Sequence, residues 1–435
     1  MKHVVIPLGL AAALLGPVAQ SATAAAMPPA PQVQRSAGPL DAAEPAEPAE
    51  PAEPQGILTL DTALAVAMAR NPTLSAVRQE LDATEGGIAQ ARTIPNPAIG
   101  FEMEDTRRAS RTTTAQMSLP IELGGKRSAR IDAAQKARDL ASAQLNNAEA
   151  DLRAAVIGAF FQVLVAQERV GLAESSVGIA TRGTQAAARR VMAGKVSPLE
   201  QTRAEVEQAN AELELAEARA TLDSARQQLA AQWGSQAPGF ASASGDLEAL
   251  PSRPLPGSLD DTLDIAPAMR ASQSEMARRQ ALVNVERSRQ YPDVTVSVGA
   301  KREYSSDRGY YPVLGVSLPL PLFDRNQGNL YTAIRQADKA ADEYRATRVR
   351  LASDLRQASG QLALSRNGAL TLRQTVLPAA QRAYQAAAQG FEAGKFAYLE
   401  VLDAQRTLLQ ARVRYLGAVA ATYQAATAID RMLGR

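Results

Sequence analysis

The sequence predicts a mainly α-helical chain with a small β part, built by internal duplication and able to enter a membrane only through its strands. Three observations carry that expectation. First, a block recurs: Ala193-Gly194-Lys195-Val196-Ser197-Pro198-Leu199-Glu200 returns as Ala393-Gly394-Lys395-Phe396-Ala397-Tyr398-Leu399-Glu400. Ala204 then pairs with Ala404 and Trp233-Gly234 with Leu433-Gly434, while upstream Pro97 pairs with Pro292 and Ser118-Leu119-Pro120 with Ser317-Leu318-Pro319. A unit of about 180 residues is far longer than a solenoid period of about 20–50, so one protomer supplies two equivalent sectors of a pseudo-symmetric ring or barrel. Second, long proline-free stretches carry apolar residues at seven-residue spacing. Third, each repeat holds two short segments of alternating apolar and polar residues.

Met1-Lys2-His3 followed by the apolar run Val4 to Ala19 reads as a secretory signal, with Ala24-Ala25-Ala26 as the small-residue cleavage site, so residues 1–26 are a removable signal peptide. The run is short of the ~20 residues of a membrane span and contains Pro7 and Pro17. No later run reads as a transmembrane helix. Residues 27–56 are rich in Pro, Ala and Glu, with a tandem Ala-Glu-Pro run from Glu44 to Pro54, and predict a disordered leader with almost nothing to bury. The first repeat then occupies 57–240 and the second 241–435.

In the first repeat, Thr59 and Asp61 can cap a helix that starts near Leu60 and ends before Pro95, with a break at Pro72. Strands follow near 97–104 and 112–120: Ile99, Phe101 and Met103 alternate with Gly100, Glu102 and Glu104, and Ala115, Met117 and Leu119 with Thr114, Gln116 and Ser118. One apolar and one polar face over about 9–11 residues is the pattern of an outer-membrane strand. The second repeat has strands near 292–302 and 310–320, where Val294, Val296 and Val298, then Leu314, Val316 and Leu318, supply the apolar face. The charged loops Asp105 to Arg111 and Lys301 to Gly309 belong in water. A soluble hairpin shows the same alternation; export, and the absence of other strands to complete a sheet, favour the membrane. Four strands cannot close a barrel, since the smallest known has about eight, so the protomer must borrow strands from copies of itself.

The helices make up the bulk. No proline interrupts the chain from Gly125 to Pro198, a span of ~100 Å if fully helical. Beyond the first turn, Val206, Leu213 and Ala220 form one seven-residue row and Leu215, Leu222 and Leu229 a second; the other repeat has Leu402, Leu409, Leu416 and Tyr423 beside Val401, Leu408 and Tyr415. Two such rows per helix predict two helical neighbours and a left-handed supercoil.

Composition excludes several classes. There is no cysteine, and the single histidine, His3, lies in the signal, so the processed chain lacks disulfides and the best transition-metal ligands; no metal site and no cofactor are expected. A formal net charge of +2 with interspersed signs gives no case for nucleic acid. With no Gly-rich phosphate loop and no carboxylate pair tied to a pocket, the chain does not read as an enzyme.

Four motifs then stand together: Pro95-Asn96-Pro97 before the first strand; Leu119-Pro120-Ile121-Glu122-Leu123-Gly124-Gly125-Lys126-Arg127 after the second; Leu318-Pro319-Leu320-Pro321-Leu322-Phe323-Asp324-Arg325-Asn326-Gln327-Gly328-Asn329 after the fourth; and Gly394-Lys395-Phe396-Ala397-Tyr398-Leu399-Glu400-Val401-Leu402-Asp403-Ala404-Gln405 at the last turn. Over residues ~57–434 the chain resembles the outer-membrane efflux channels of the TolC type, its Glu-Leu-Gly-Gly-Lys-Arg and Leu-Phe-Asp-Arg-Asn-Gln-Gly segments being most similar to the heavy-metal (CzcC-like) branch. The resemblance implies a homotrimer with a 12-stranded barrel in outer-membrane lipid, continued by a 12-helix α-barrel through the periplasm. It also implies a passive duct served by a periplasmic adaptor (membrane fusion) protein and an inner-membrane RND pump, here for heavy-metal cations, with an iris gate at the periplasmic end.

Carried over residue by residue, Glu400 and Asp403 match the acids that ring the constriction, while as bare sequence they are equally first-turn acids favoured by the helix dipole. Glu200 matches the acid that latches the closed state; its partners' positions are Phe391 and Phe396, whose side chains cannot hydrogen-bond it, leaving apolar packing. The tips Gly194, Lys195, Val196, Ser197 and Pro198, and Gly394, Lys395, Phe396, Ala397 and Tyr398, match the adaptor-docking turns, with Phe396 and Tyr398 as anchors or as residues buried between hairpins. Gly194 and Gly394 suit a left-handed helix C-cap, and Pro198 a first helical turn. The rivals are a duct for drugs or secreted proteins and, from another class, a trimeric coiled-coil surface protein.

Overall fold

A computed structural model describes residues 54–105, 107, 110–253, 259–303, 309–393 and 395–435, excepting the side chains at 259–261, 392 and 398. The expected signal peptide, all but the end of the leader, and parts of both charged loops lie outside the described residues.

The first repeat runs β1 (Gly56–Leu58), α1 (Leu60–Arg70), α2 (Pro72–Arg92), β2 (Ala98–Glu104), β3 (Thr112–Ile121), α3 (Lys126–Met192), α4 (Pro198–Ala231) and β4 (Phe240–Ala243). The second runs α5 (Leu259–Asp264), α6 (Pro267–Ser288), β5 (Val294–Glu303), β6 (Tyr311–Ser317), α7 (Gln327–Thr371), a π turn (Leu372–Val376), α8 (Leu377–Glu392) and α9 (Tyr398–Leu433). Thr59 caps α1 by accepting from the Thr62 amide. The break falls at Pro72 because Asn71 ends α1 and caps α2: its Oδ1 accepts from the Leu74 amide at 2.7 Å while Nδ2 donates to the Gln232 carbonyl at 2.7 Å. The duplication shows in packing. Gly234, at φ +78°, lies against Pro72, and Gly434, at φ +69°, lies against Pro267, each at the end of a long helix. Equivalent cores sit beside these contacts, one around Leu58, Phe160, Val163, Leu229 and Trp233, the other around Leu263, Met269, Leu355, Ile429 and Leu433.

The helices lie side by side. α3 packs along α4 and α9, and α9 packs along α7 and α8, so α4 and the α7–α8 helix flank the set. One window of α3 has the length and composition of a membrane span, contrary to the sequence reading. At 67 residues, however, α3 runs ~100 Å, about three bilayer cores, and its Phe160, Val163 and Leu164 are buried against the first repeat's own helices. A third of that window is buried in the chain itself.

The two-row expectation holds on α9, where Val401, Leu402, Leu408, Leu416 and Tyr423 are buried. On α4 it holds by half: Leu222 and Leu229 are buried, but Val206 and Leu213 stay 53% and 59% exposed. On α4, the described residues of one chain cover only one of the two faces that the heptads define.

Residues 244–253, which follow β4, lie across the second repeat as a strap. Tyr423 Oη donates toward the Asp246 and Ala249 carbonyls, at 3.0 Å each, and stacks on Phe161 with ring centres 3.6 Å apart. Burial pushes the Tyr423 hydroxyl pKa up. Arg373, in the π turn, reaches the Glu248 carbonyl, and Arg253 grips Asp430 bidentately at 2.7 and 2.8 Å.

Candidate functional site: a membrane sheet and two hairpin tips

The four strands form one antiparallel sheet in the order β2-β3-β5-β6. β3 and β5 pair over their full ten residues, joining the two repeats. Register places like with like. Ile99, Met117, Val298 and Leu314 form one cross-strand row, and Leu119, Val296 and Val316 another. Leu314 is 82% exposed, Phe101 79% and Ile99 72%. The opposite face carries Gly100, Gln116, Gly299 and Val313 in one row and Glu102, Thr114, Lys301 and Tyr311 in another. One face is therefore apolar and bare, the other largely polar. β2 and β6 are both unpaired edges. A Cβ at Gly299 would collide with the Ala115 carbonyl and Gln116, and one at Gly315 with the Ser297 hydroxyl, so glycine permits the close approach of strands here.

At the foot of the sheet both motifs make the same handover from strand to helix. Gly124 and Gly125, at φ +69° and +72°, precede α3, and Asn326, at φ +57°, precedes α7. Around the first, Asp293 accepts from the Leu123 amide at 3.2 Å and from Lys126 Nζ at 2.7 Å, and Arg130 grips Glu122 with two nitrogens. The Glu122 hydrogen bond raises the Arg130 pKa, so the guanidinium stays charged. Around the second, Asn326 Nδ2 donates to the Glu286 carbonyl and carboxylate.

The first tip closes as expected. α3 ends at Gly194 with φ +66°; the Gly194 amide donates to the Val191 carbonyl and the Lys195 amide to the Arg190 carbonyl, both at 2.9 Å. Pro198 opens α4, Ser197 Oγ accepts from the Leu199 amide at 3.3 Å, and Glu200 occupies the third helical position. The second tip repeats the outer bond, Lys395 amide to Gly390 carbonyl at 2.8 Å, but Ala397 gives α9 no side-chain cap. Gly394 lies outside the described residues, as does the side chain of Tyr398.

Glu400 and Asp403 are exposed on one face of α9, a turn apart, and neither carboxylate has a hydrogen bond or ion pair among the described residues. Glu200, half-buried, has none either among the described residues. Phe396 is 44% exposed, its ring lying over Gly390, where a Cβ would collide with it. Phe391 is half-buried and meets Arg190 instead of Glu200: Arg190 Nη2 donates to the Phe391 carbonyl at 3.0 Å, and its guanidinium carbon sits 3.7 Å above the ring. Sequence reasoning missed Arg190; the one signal was that it faces Gly390 across the repeat. It also missed Met192, Leu199 and Leu399, at 80%, 55% and 58% exposed, which put bare apolar side chains beside the lysines of both tips.

Above the tips, Ala187, Ala204, Ala387, Val401 and Leu402 form a buried seam between hairpins. Further up, Arg406 pairs with Glu207 across a groove of about 760 Å³ between α4 and α9, floored by α3 and lined by Leu213, Leu409 and Val413.

The family model for "outer membrane efflux protein" matches residues 63–235 and again 259–435. The chain is 58% identical over 438 residues, spanning 100% of both chains, to the cobalt-zinc-cadmium resistance protein CzcC of Cupriavidus metallidurans. It is 30% identical to the nickel-cobalt-cadmium resistance protein NccC of Alcaligenes xylosoxydans xylosoxydans, over 68% of each chain. The open-state crystal structure of the Neisseria gonorrhoeae MtrE outer membrane channel shares its fold, with a TM-score of 0.73, 20% identity, and coverage of 86% of this chain and 88% of that one.

Proposed function

The chain belongs to the outer membrane efflux protein family, and from that membership we propose that it is the outer-membrane exit duct of a three-part RND efflux assembly for divalent metal cations. The observation that carries the reading is the four-stranded sheet with one bare apolar face and two unpaired edges. Lipid offers no hydrogen-bond partners to a strand edge. Three copies joined edge to edge, β6 of one beside β2 of the next, give a 12-stranded barrel with Phe101, Val298 and Leu314 toward lipid and Gln116, Thr114 and Lys301 toward a water-filled lumen. The flanking helices α4 and α7–α8 then meet their counterparts, closing a 12-helix barrel below.

In this reading residues 1–26 direct export, 27–56 form a leader, and the repeats 57–240 and 241–435 are quasi-equivalent sectors. Glu400 and Asp403 from each chain ring the periplasmic constriction, and Glu200 and Phe391 lie where the hairpins part. The tips dock a periplasmic adaptor, which links the duct to the inner-membrane pump. The duct is passive, holds no cofactor and catalyses nothing; without Cys or His in its processed form it conducts hydrated cations rather than chelating them. Likeness to CzcC and NccC supports cobalt, zinc and cadmium as cargo.

Deleting the gene from a host that retains its pump and adaptor is expected to lower resistance to all three metals and raise their cellular content, with restoration by the intact chain. Unchanged metal tolerance together with new sensitivity to drugs would move the duct to the drug branch.

A further inference from the structure

The two tips share their outer backbone bond, the Lys195 amide to the Arg190 carbonyl and the Lys395 amide to the Gly390 carbonyl, and differ in several side chains. Where the first repeat has Arg190, Val191 and Val196, the second has Gly390, Phe391 and Phe396. The structure ties these differences together. Gly390 leaves the space into which the Phe396 ring settles. Arg190, the residue facing Gly390 across the repeat, leaves its own hairpin and covers the face of Phe391 while donating to that residue's carbonyl. Among the described residues Arg190 has no ion pair, so its charge meets a π face and a carbonyl alone. The contact lies at the tipward end of the seam of Ala187, Ala204, Ala387, Val401 and Leu402, into which Phe391 also packs. Next to that seam water is partly excluded, and a cation over an aromatic ring gains from the lower dielectric.

We propose that Arg190 is a positioning residue of the gate: a cation–π clamp from the first hairpin that holds the second hairpin's tip in its resting place. The proposal rests on the duct reading above and deepens it by naming what regulates the opening. Because the duplication places the cation on one hairpin and the rings on the other, the link runs one way within a protomer. An outward swing of the α8–α9 tip must lift Phe391 from Arg190, whereas the first hairpin can stay in place. The carbonyl bond gives direction and the ring gives strength, so glutamine at 190 keeps a donor but loses the cation, while lysine keeps both.

The test uses the full-length trimer in planar lipid bilayers, with thermal unfolding measured in parallel. Arg190→Gln and Phe391→Leu are each expected to raise the fraction of time spent in the high-conductance state about tenfold. Arg190→Lys should stay near the parent, and the double variant should open no more than either single one, since both remove one contact. Trimers of Arg190→Gln and Phe391→Leu that gate like the parent, whether or not they melt earlier, overturn the clamp and leave the duct standing. A parent trimer that passes no ions overturns the duct itself and the clamp with it.

Discussion

Glu400 and Asp403 are informative because they are unsatisfied. Both are exposed, share one face of α9, and have no cation beside them among the described residues. A helix start explains one acid at the third position, as Glu200 shows on the other hairpin. It does not explain a second acid one turn on. Around an axis, two carboxylates from each of three chains would repel one another and draw cations, most strongly where low-dielectric walls narrow the water path. Replacing both, as Glu400→Gln with Asp403→Asn, is expected to reduce cation preference about threefold and to relieve block by divalent cations, with trimer stability unchanged. Reversal potentials under a salt gradient check this, and unchanged values in an assembled trimer would return both residues to ordinary helix-start chemistry. At this scale the sequence is legible where a residue acts on its own neighbourhood: Gly194 and Pro198 do what their local chemistry requires. Arg190 is illegible because its partner is a residue of the other hairpin, remote in sequence, and nothing local to Arg190 marks it.

Among elements, the strap between repeats joins three anchors that no sequence pattern foretells: Tyr423 on the Asp246 and Ala249 carbonyls, Arg373 on Glu248, and Arg253 on Asp430. Asp430 is 9% exposed. The Asp430 hydrogen bond raises the Arg253 pKa against the opposing effect of burial, so the arginine stays charged throughout any working range. Arg253→Ala would leave a buried carboxylate without its counter-ion and is expected to destabilise the second repeat by about 2 kcal/mol. Thermal unfolding of Arg253→Ala beside the parent measures it, and a loss within a few tenths of a kcal/mol would mean the strap merely lies on the surface. Elements with strong periodicity were readable: the break at Pro72, all four membrane strands, and the long helices on either side of both turns. β1 and β4 were not, because strands of three and four residues pair with each other from opposite ends of a repeat. The π turn was not either, since it inserts its extra residue without a helix breaker of its own, Pro378 coming after it.

For the whole molecule, the same sequence pattern that located the strands also limited what one chain can do. Half of the α4 heptad pattern and both edges of the sheet have no partner among the described residues of one chain. Both deficits would be met by the same operation, adding copies around an axis. Native mass spectrometry of detergent-solubilised protein is expected to show a trimer, and a stable monomer with all four strands protected from hydrogen exchange would sink the architecture.

Those two bare edges also bear on the order of events for each new chain. The helices satisfy their own backbone groups and can form in water, alone, as soon as the polypeptide emerges. The sheet cannot: without other copies it presents Ile99, Phe101, Leu314 and Val316 to water beside open hydrogen-bonding edges, the surface most prone to irregular association. In the proposed three-copy barrel, folding, oligomerisation and membrane entry would collapse into one encounter among three molecules, whose rate falls steeply with their abundance. A cell making too little of this protein would lose channels out of proportion to the chains it lacks.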